Sequence, residues 1–74
     1  MEVEIRLFAT LRPGRFRKRK LDLPEGITVG EILKQLGIEP KEVAIVLVNG
    51  RDVTEHGTLR PDDVMALFPP VAGG

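Results

Sequence analysis

One short segment of the chain, residues 27–38, carries start and stop signals for an α-helix together with the spacing of a buried helical face. Thr28, followed three residues later by Glu31, matches the capping box that satisfies backbone N–H groups at a helix start. Gly37 stands where a left-handed residue closes a helix. Between them the apolar residues recur at the helical period, at Val29, Ile32, Leu33 and Leu36. The rest of the chain must therefore fold so as to bury one face of a single short helix.

The segment before this helix has the pattern of a β-hairpin. Residues 1–9 alternate between apolar and polar side chains, which is typical of a strand with one buried face. A turn is predicted at residues 12–15, where Pro and Gly are suitably placed, and a second strand over residues 16–23. The buried face of the first strand is predicted to consist of Val3, Ile5, Leu7 and Ala9.

Beyond the helix the pattern predicts further strands. Val43–Val48 is a continuous apolar run, which predicts a strand covered on both faces at the centre of a sheet. Asn49–Gly50 is a strong hairpin signal, interpreted as turn chemistry only, and it leads into a brief strand near residues 52–53. Val64–Phe68 is the predicted final strand. Pro69 ends it, because proline has no N–H to donate to a strand ladder.

This order of elements, which is two strands, one helix and two strands, predicts an α+β fold of the β-grasp, or ubiquitin-like, class. We expect a mixed four- to five-stranded sheet packed on one helix, with the first and last strands parallel neighbours. The domain is predicted to span residues 1–68, followed by a flexible, extended tail over residues 69–74. In that tail two prolines favour an extended path, and two terminal glycines without Cβ atoms permit close approach to another protein.

Composition excludes several classes of function. The chain of 74 residues has no cysteine and one histidine, so a thiol nucleophile and a thiolate or paired-histidine metal site are excluded. It has no phosphate-binding glycine loop, and His56 is interpreted as a loop residue. We therefore expect no catalytic residue and no bound metal or cofactor. The absence of a secretory signal and of a long apolar run favours a cytoplasmic location and argues against a membrane partner.

Charge is balanced overall but unevenly distributed. Residues 1–20 hold seven basic and two acidic side chains, a net charge of +5, and the remainder holds four basic and nine acidic, a net charge of −5. The basic cluster Arg15–Lys20 has three interpretations: a solvated hairpin, a surface that attracts an acidic partner, or a nucleic-acid site. Only Phe16 lies among these charges as a stacking aromatic, which argues against nucleic acid.

The alternation of the first and last strands places Phe8 and Phe68 on the outer face of the sheet. If those strands are neighbours, the two rings form an exposed apolar patch at the base of the tail, and Ala66 and Val64 extend it. Such a patch is typical of a partner-binding surface. The alternative is that a nearby loop covers the two rings.

Four motifs carry a family likeness: Leu-Phe-Ala-Thr-Leu-Arg at residues 7–12, Val-Asn-Gly at 48–50, Pro-Asp-Asp-Val at 61–64, and Phe-Pro-Pro-Val-Ala-Gly-Gly at 68–74. Together they resemble the MoaD/ThiS family of ubiquitin-like sulfur carriers, and most closely the small subunits of molybdopterin synthase. The basic second strand departs from the acidic character usual in that family.

The resemblance implies a carrier and not an enzyme. A partner of the MoeB/ThiF type would use ATP to convert the Gly74 carboxylate to an acyl-adenylate, and sulfur from a persulfide-bearing sulfurtransferase would then leave a thiocarboxylate. A synthase large subunit of the MoaE type would transfer this sulfur to a pterin precursor of the molybdenum or tungsten cofactor. The tail residues implied to enter the partner's active site are Pro69, Pro70, Val71, Ala72 and Gly73.

Three other functions remain open from the sequence. A ubiquitin-like modifier would join Gly74 to lysines of other proteins. A sulfur carrier with the same tail would also suit thiazole synthesis or tRNA thiolation. A plain interaction module would carry an inert tail.

Overall fold

The computed structural model describes residues 1–70, and the predictions made for Val71, Ala72, Gly73 and Gly74 lie outside these described residues. Within them one five-stranded sheet packs against one α-helix. Two short 3-10 segments, Ala9–Leu11 and Pro40–Glu42, lie in the connections. The regular elements are β1 (Glu2–Leu7), β2 (Lys18–Asp22), α1 (Val29–Leu36), β3 (Ile45–Val48), β4 (Arg51–Asp52) and β5 (Val64–Phe68).

The strand order in the sheet is β2-β1-β5-β3-β4. β1 pairs antiparallel with β2 and parallel with β5, and β5 pairs antiparallel with β3. This order confirms the predicted β-grasp class, including the parallel neighbours β1 and β5. Because parallel strands end at the same edge of a sheet, the ends of β1 and β5 lie side by side, where the chain leaves the domain.

The predicted signals at both ends of α1 are confirmed. The Thr28 hydroxyl accepts a hydrogen bond from the Glu31 N–H at 3.2 Å, and the Glu31 carboxylate accepts one from the Thr28 N–H at 3.0 Å. These bonds to Thr28 hold the pKa of Glu31 below its usual value. At the other end Gly37 has a φ of 71°, and the Ile38 N–H donates to the Leu33 carbonyl at 2.9 Å. Both ends are therefore fixed by local hydrogen bonds.

Replacing Thr28 with Ala removes one side of this capping box. We expect the free energy of unfolding to fall by about 1 kcal/mol, because an N–H at the helix start loses its acceptor. Urea denaturation followed by far-UV circular dichroism measures this difference. Thr28→Ser keeps the hydroxyl and serves as the control; equal losses for both variants would contradict the capping role.

One hydrophobic core lies between α1 and the inner face of the sheet. The helix contributes Val29, Ile32 and Leu33, as its apolar spacing predicts. Among residues 1–70 no polar or charged residue is buried. The remaining core residues are Val3, Ile5, Leu7, Leu11, Leu23, Ile27, Ile38, Val46, Leu59, Met65 and Leu67.

The prediction that Ala9 continues the buried face of β1 is wrong. The strand ends at Leu7, and Ala9 begins a 3-10 segment with a φ of 51° and an exposed side chain. Leu11 takes the core position instead and is 1% exposed. The connection between β1 and β2 is therefore longer than the predicted turn at residues 12–15, since it leaves the strand before Ala9.

The prediction of a central strand covered on both faces at Val43–Val48 is also wrong. The central position belongs to β5, and β3 lies between β5 and the two-residue strand β4. Val46 faces the core, whereas Ile45 is 46% exposed. The helix covers only one face of the sheet, so the continuous apolar run supplies an apolar outer face instead of a doubly buried strand.

The Asn49–Gly50 turn is confirmed, but its interpretation as turn chemistry only is wrong. Both residues have positive φ, 52° and 81°, as a type I′ turn requires. The Asn49 side chain also donates to the Asp63 carboxylate at 2.8 Å and accepts from the Val64 N–H at 2.9 Å. Asn49 thus ties the β3–β4 hairpin to the start of β5.

Candidate partner-binding site

Two aromatic rings meet at the edge of the sheet where the chain leaves the domain. Phe8 directly follows β1, and Phe68 is the last residue of β5. Their ring centroids are 4.4 Å apart with an angle of 11° between the planes. The Phe8 N–H donates to the Leu67 carbonyl at 3.2 Å, which holds the two strand ends together. The pair of rings that the alternation of the sequence predicts is therefore formed, and both rings are half-buried.

The two rings belong to a larger apolar surface on the side of the sheet opposite α1. Val64, Ala66 and Phe68 share this side of β5 and are half-buried. In the register of β3 with β5, Leu47 lies opposite Ala66 and Ile45 lies opposite Phe68. We call these residues, together with Phe8, the outer apolar face. It combines the four predicted interface residues with two more.

Sequence reasoning missed Ile45 and Leu47 as members of this face. The continuous apolar run around them was interpreted as covered on both sides. That interpretation gave no reason to separate Ile45 and Leu47, which alternate with Val46 and so face the other side of the sheet. A single α-helix in the sequence was the signal that could have corrected this. One short helix covers one face of a sheet, so every second residue of β3 must lie on the other face.

The tail begins at the same edge. Pro69 is half-buried and Pro70 is exposed, and both follow directly from Phe68. The role predicted for Val71–Gly74 concerns residues outside the described part of the chain and stays a prediction.

Charged side chains border the outer apolar face along β1. Glu4 and Arg6 lie on the outer side of this strand, and the Arg6 guanidinium donates a hydrogen bond to the Glu4 carboxylate. That bond is the main reason why the pKa of Glu4 lies below its usual value. The Glu4 carboxylate therefore compensates part of the Arg6 charge.

A basic groove lies next to the stacked rings. It is open to solvent, has a volume of about 540 Å³, and is lined by Arg6, Phe8, Arg12, Arg17 and Lys18. The Arg12 Nε atom donates to the Leu7 carbonyl at 2.8 Å, and its guanidinium carbon lies 5.4 Å from the centre of the Phe8 ring. Arg12 is thereby held over the aromatic pair as a cation–π partner.

The structure divides the basic cluster that the sequence presents as one run. Arg15 has a structural role, because its guanidinium donates to the carbonyls of Leu11 at 3.2 Å and Gly37 at 3.3 Å. The guanidinium of Arg19 lies 4.6 Å from the centre of the Phe16 ring. Arg17 and Lys18 are the members of the cluster that line the basic groove.

The other candidate residues are not brought together. The side chain of His56 is 85% exposed and lies 3.6 Å from the Glu55 carboxylate. Within residues 1–70, no group of three or more His, Cys, Asp or Glu side chains is placed to hold a metal ion. The described part of the chain also has no helix with the length and apolar character needed to cross a membrane.

Comparison with known proteins places this geometry in a family. The model of the ThiS family matches residues 5–74. Small archaeal modifier protein 3 from Haloferax volcanii is 36% identical to the chain, and the alignment covers all of both proteins.

Two solved structures extend the comparison. The crystal structure of SAMP1 from Haloferax volcanii superposes with a TM-score of 0.78 at 30% identity, covering both chains completely. A chain from the complex of subunits 1 and 2 of the molybdopterin-converting factor of Helicobacter pylori also covers both chains completely, with a TM-score of 0.67 at 25% identity. The chain therefore belongs to the ThiS family, a family of small ubiquitin-like carriers and modifiers.

Proposed function

We propose that this chain is a sulfur carrier of the molybdopterin synthase type. Its Gly74 carboxylate is adenylated by a partner enzyme, converted to a thiocarboxylate, and used to deliver sulfur to a pterin precursor of the molybdenum or tungsten cofactor. The observation that carries the proposal is the stacked pair Phe8 and Phe68, which lies on an apolar face at the start of a Pro-Pro-Val-Ala-Gly-Gly terminus. A surface suited to docking therefore adjoins the start of a C-terminal segment that has no charged side chains.

The chemistry asks for a reachable terminal carboxylate and not for catalytic side chains on the carrier. A Gly74 carboxylate oxygen attacks the α-phosphorus of ATP, which releases pyrophosphate and leaves an acyl-adenylate. The outer sulfur of a donor persulfide then attacks the carbonyl carbon and displaces AMP. A second thiol reduces the resulting acyl disulfide, so that the carrier leaves as a thiocarboxylate and the two thiols remain as a disulfide.

The domain contributes binding and position to these steps. Its outer apolar face supplies area that a partner can bury, with two aromatic rings at its edge as anchors. Pro69 and Pro70 restrict the backbone, which lowers the entropy lost when the segment is fixed in a partner's channel. The binding energy of the folded domain thereby holds the terminal carboxylate against the reacting groups of the partner.

The similarity to a chain from a complex of subunits 1 and 2 of a molybdopterin-converting factor supports a large-subunit partner of the MoaE type. In this proposal the large subunit holds the pterin precursor and receives the tail. The adenylating enzyme of the MoeB/ThiF type and the persulfide donor act on the same tail earlier. All of these proteins must recognise the edge of the sheet at Phe8 and Phe68.

Conjugation to proteins is the second candidate function. It is favoured by the 36% identity with a protein named small archaeal modifier protein 3. Both functions begin with adenylation of Gly74 and diverge at the nucleophile, which is a persulfide sulfur for the carrier and a lysine amine for the modifier.

The proposal is tested by incubating the purified chain with its adenylating enzyme, ATP and a persulfide donor. We expect the intact mass to rise by the difference between one sulfur and one oxygen atom, and only when ATP is present. Adding the large subunit with the pterin precursor should return the mass to its starting value. A chain that forms the adenylate but passes only to lysine amines, as larger adducts lost on lysine blockade, would contradict sulfur carriage and favour the modifier.

A further inference from the structure

Charge is graded along the side of the sheet that carries the outer apolar face. At the tail end, the basic groove collects Arg6, Arg12, Arg17 and Lys18 around Phe8. At the opposite end, an open groove of about 210 Å³ is lined mainly by acidic residues at the starts of β1 and β5: its lining is Glu2, Glu4, Lys20, Asp62, Asp63 and Val64. The uneven charge of the sequence therefore gives this side of the sheet a basic end and an acidic end.

The cations of the basic groove are available to a partner to different degrees. Arg6 is bonded to Glu4, and Arg12 is held by the Leu7 carbonyl. Arg17 and Lys18 are exposed, and among residues 1–70 neither forms an ion pair with a carboxylate. Arg17 and Lys18 therefore line the groove as exposed cations without a carboxylate in ion-pair contact within the described part of the chain, and Lys18 feels the more distant charge of Glu4.

The aromatic ring in the groove is already engaged on two sides. Phe8 stacks on Phe68 at 4.4 Å, and the Arg12 guanidinium carbon lies 5.4 Å from its centre. Phe8, the aromatic residue that lines the groove, therefore offers a nucleic-acid base little free surface for stacking, although base stacking is a main source of affinity for single strands. An extended polyanion following β1 would also meet the acidic groove at the far end.

We propose that the basic groove binds an acidic surface of the adenylating enzyme, next to the entrance of that enzyme's active site. This inference rests on the proposed function, because it assigns a docking role beside the same terminus. Attraction at the tail end and repulsion at the far end give the encounter one favoured orientation. In that orientation the edge of the sheet at Phe8 and Phe68 faces the enzyme.

The groove acts mainly on the rate of association. Its charges are exposed, so each ion pair contributes little to the final affinity, whereas complementary surface charges raise association rates by about 10-fold or more at low salt. Screening shortens the reach of these charges from about 10 Å at 0.1 M salt to about 3 Å at 1 M.

The test uses the full chain carrying both Arg17→Glu and Lys18→Glu, with the purified adenylating enzyme of the same organism as the partner. Stopped-flow fluorescence measures the association rate at low and high salt. We expect a loss of about 10-fold at 0.1 M salt that largely disappears at 1 M salt. The charge-neutral variant Arg17→Gln with Lys18→Gln should lie between it and the wild type. Lys34→Glu, which reverses one exposed charge on α1, is the control and should associate at the wild-type rate.

The outcomes separate this inference from the proposed function. Equal association rates for the wild type and the double variant would overturn the inference alone, provided that the wild type still gains sulfur with this enzyme. A wild type that is never adenylated would overturn both. Binding of a labelled single-stranded oligonucleotide that disappears in the double variant, with unchanged enzyme association, would assign the groove to nucleic acid and overturn the inference. Unfolding curves of all variants check that each remains folded.

Discussion

Removal of Gly73 and Gly74 is expected to abolish activation of the chain while leaving its fold unchanged. The shortened chain still ends in a carboxylate, on Ala72, but the reach of the chain is reduced by up to about 7 Å, since a residue spans at most about 3.5 Å. A misplacement of about 1 Å is enough to reduce the rate of an enzymatic step about 100-fold. Pyrophosphate release by the adenylating enzyme should therefore fall to the background measured without any carrier.

The matched control for this deletion is Gly74→Ala, which keeps the chain length and the carboxylate and adds one methyl group. We expect it to react more slowly than the wild type but well above the deletion variant, because only the fit within the partner's channel is disturbed. Thermal unfolding should be the same for all three proteins, since residues 1–70 contain the whole described core. Full pyrophosphate release with the deletion variant would contradict the prediction, because it would show that activation does not need the two terminal glycines.

Replacing both Phe8 and Phe68 with Ala is expected to weaken binding of the adenylating enzyme about 100-fold. Truncating aromatic anchors of an interface costs about 2–4 kcal/mol of binding free energy, and this pair lies at the base of the segment that the enzyme must hold. The domain also loses stability. Losing the ring stacking lowers the free energy of unfolding by about 1 kcal/mol, in addition to the effect of burying less apolar area. Isothermal titration calorimetry and urea denaturation measure the two effects separately.

Phe8→Leu with Phe68→Leu is the matched control, because leucine keeps an apolar side chain without the aromatic ring. It should bind much better than the alanine pair if buried apolar area dominates. Wild-type affinity in the alanine pair, with the domain still folded, would show that the outer apolar face is not the docking surface.

The helix and the first strand were accessible from sequence because their signals are local. Thr28 and Glu31 lie within one helical turn, and Gly37 closes that helix through its own backbone preference. The alternation of apolar and polar residues in β1 is also local, because successive side chains of a strand point to the buried and the solvent-exposed face in turn. Once the helix was placed between two hairpins, few topologies remained, and the parallel pairing of β1 with β5 followed.

The errors concern features that depend on distant parts of the chain. An apolar run such as Val43–Val48 has the same pattern whether both faces of the strand are buried or one face is left for a partner. The pattern alone therefore does not predict the exposure of Ile45. Ala9 fits the alternation of β1, yet the chain turns away because Leu11 fills the core there. The hydrogen bonds of Asn49 to Asp63 and Val64 join segments that are far apart in sequence.

The candidate site shows the same division. The parity of Phe8 and Phe68 predicted that the rings meet if their strands are neighbours, because Phe68 ends β5 and Phe8 directly follows β1. The separate roles of the cations in Arg15–Lys20 could not be predicted from the sequence. Arg15 contacts the end of α1, whereas Lys18 lines the basic groove. Their separate roles depend on tertiary contacts that no local pattern records.

The most direct measurement of the central claim is the mass of the C-terminal peptide of this protein purified from the cells that make it. Fragmentation by tandem mass spectrometry locates any added atom along that peptide. The account predicts that one oxygen of Gly74 is replaced by sulfur and that this form accumulates when the pterin precursor is depleted. A Gly74 that always carries an ordinary carboxylate under those conditions, or that occurs only in amide linkage to lysines of other proteins, would contradict it.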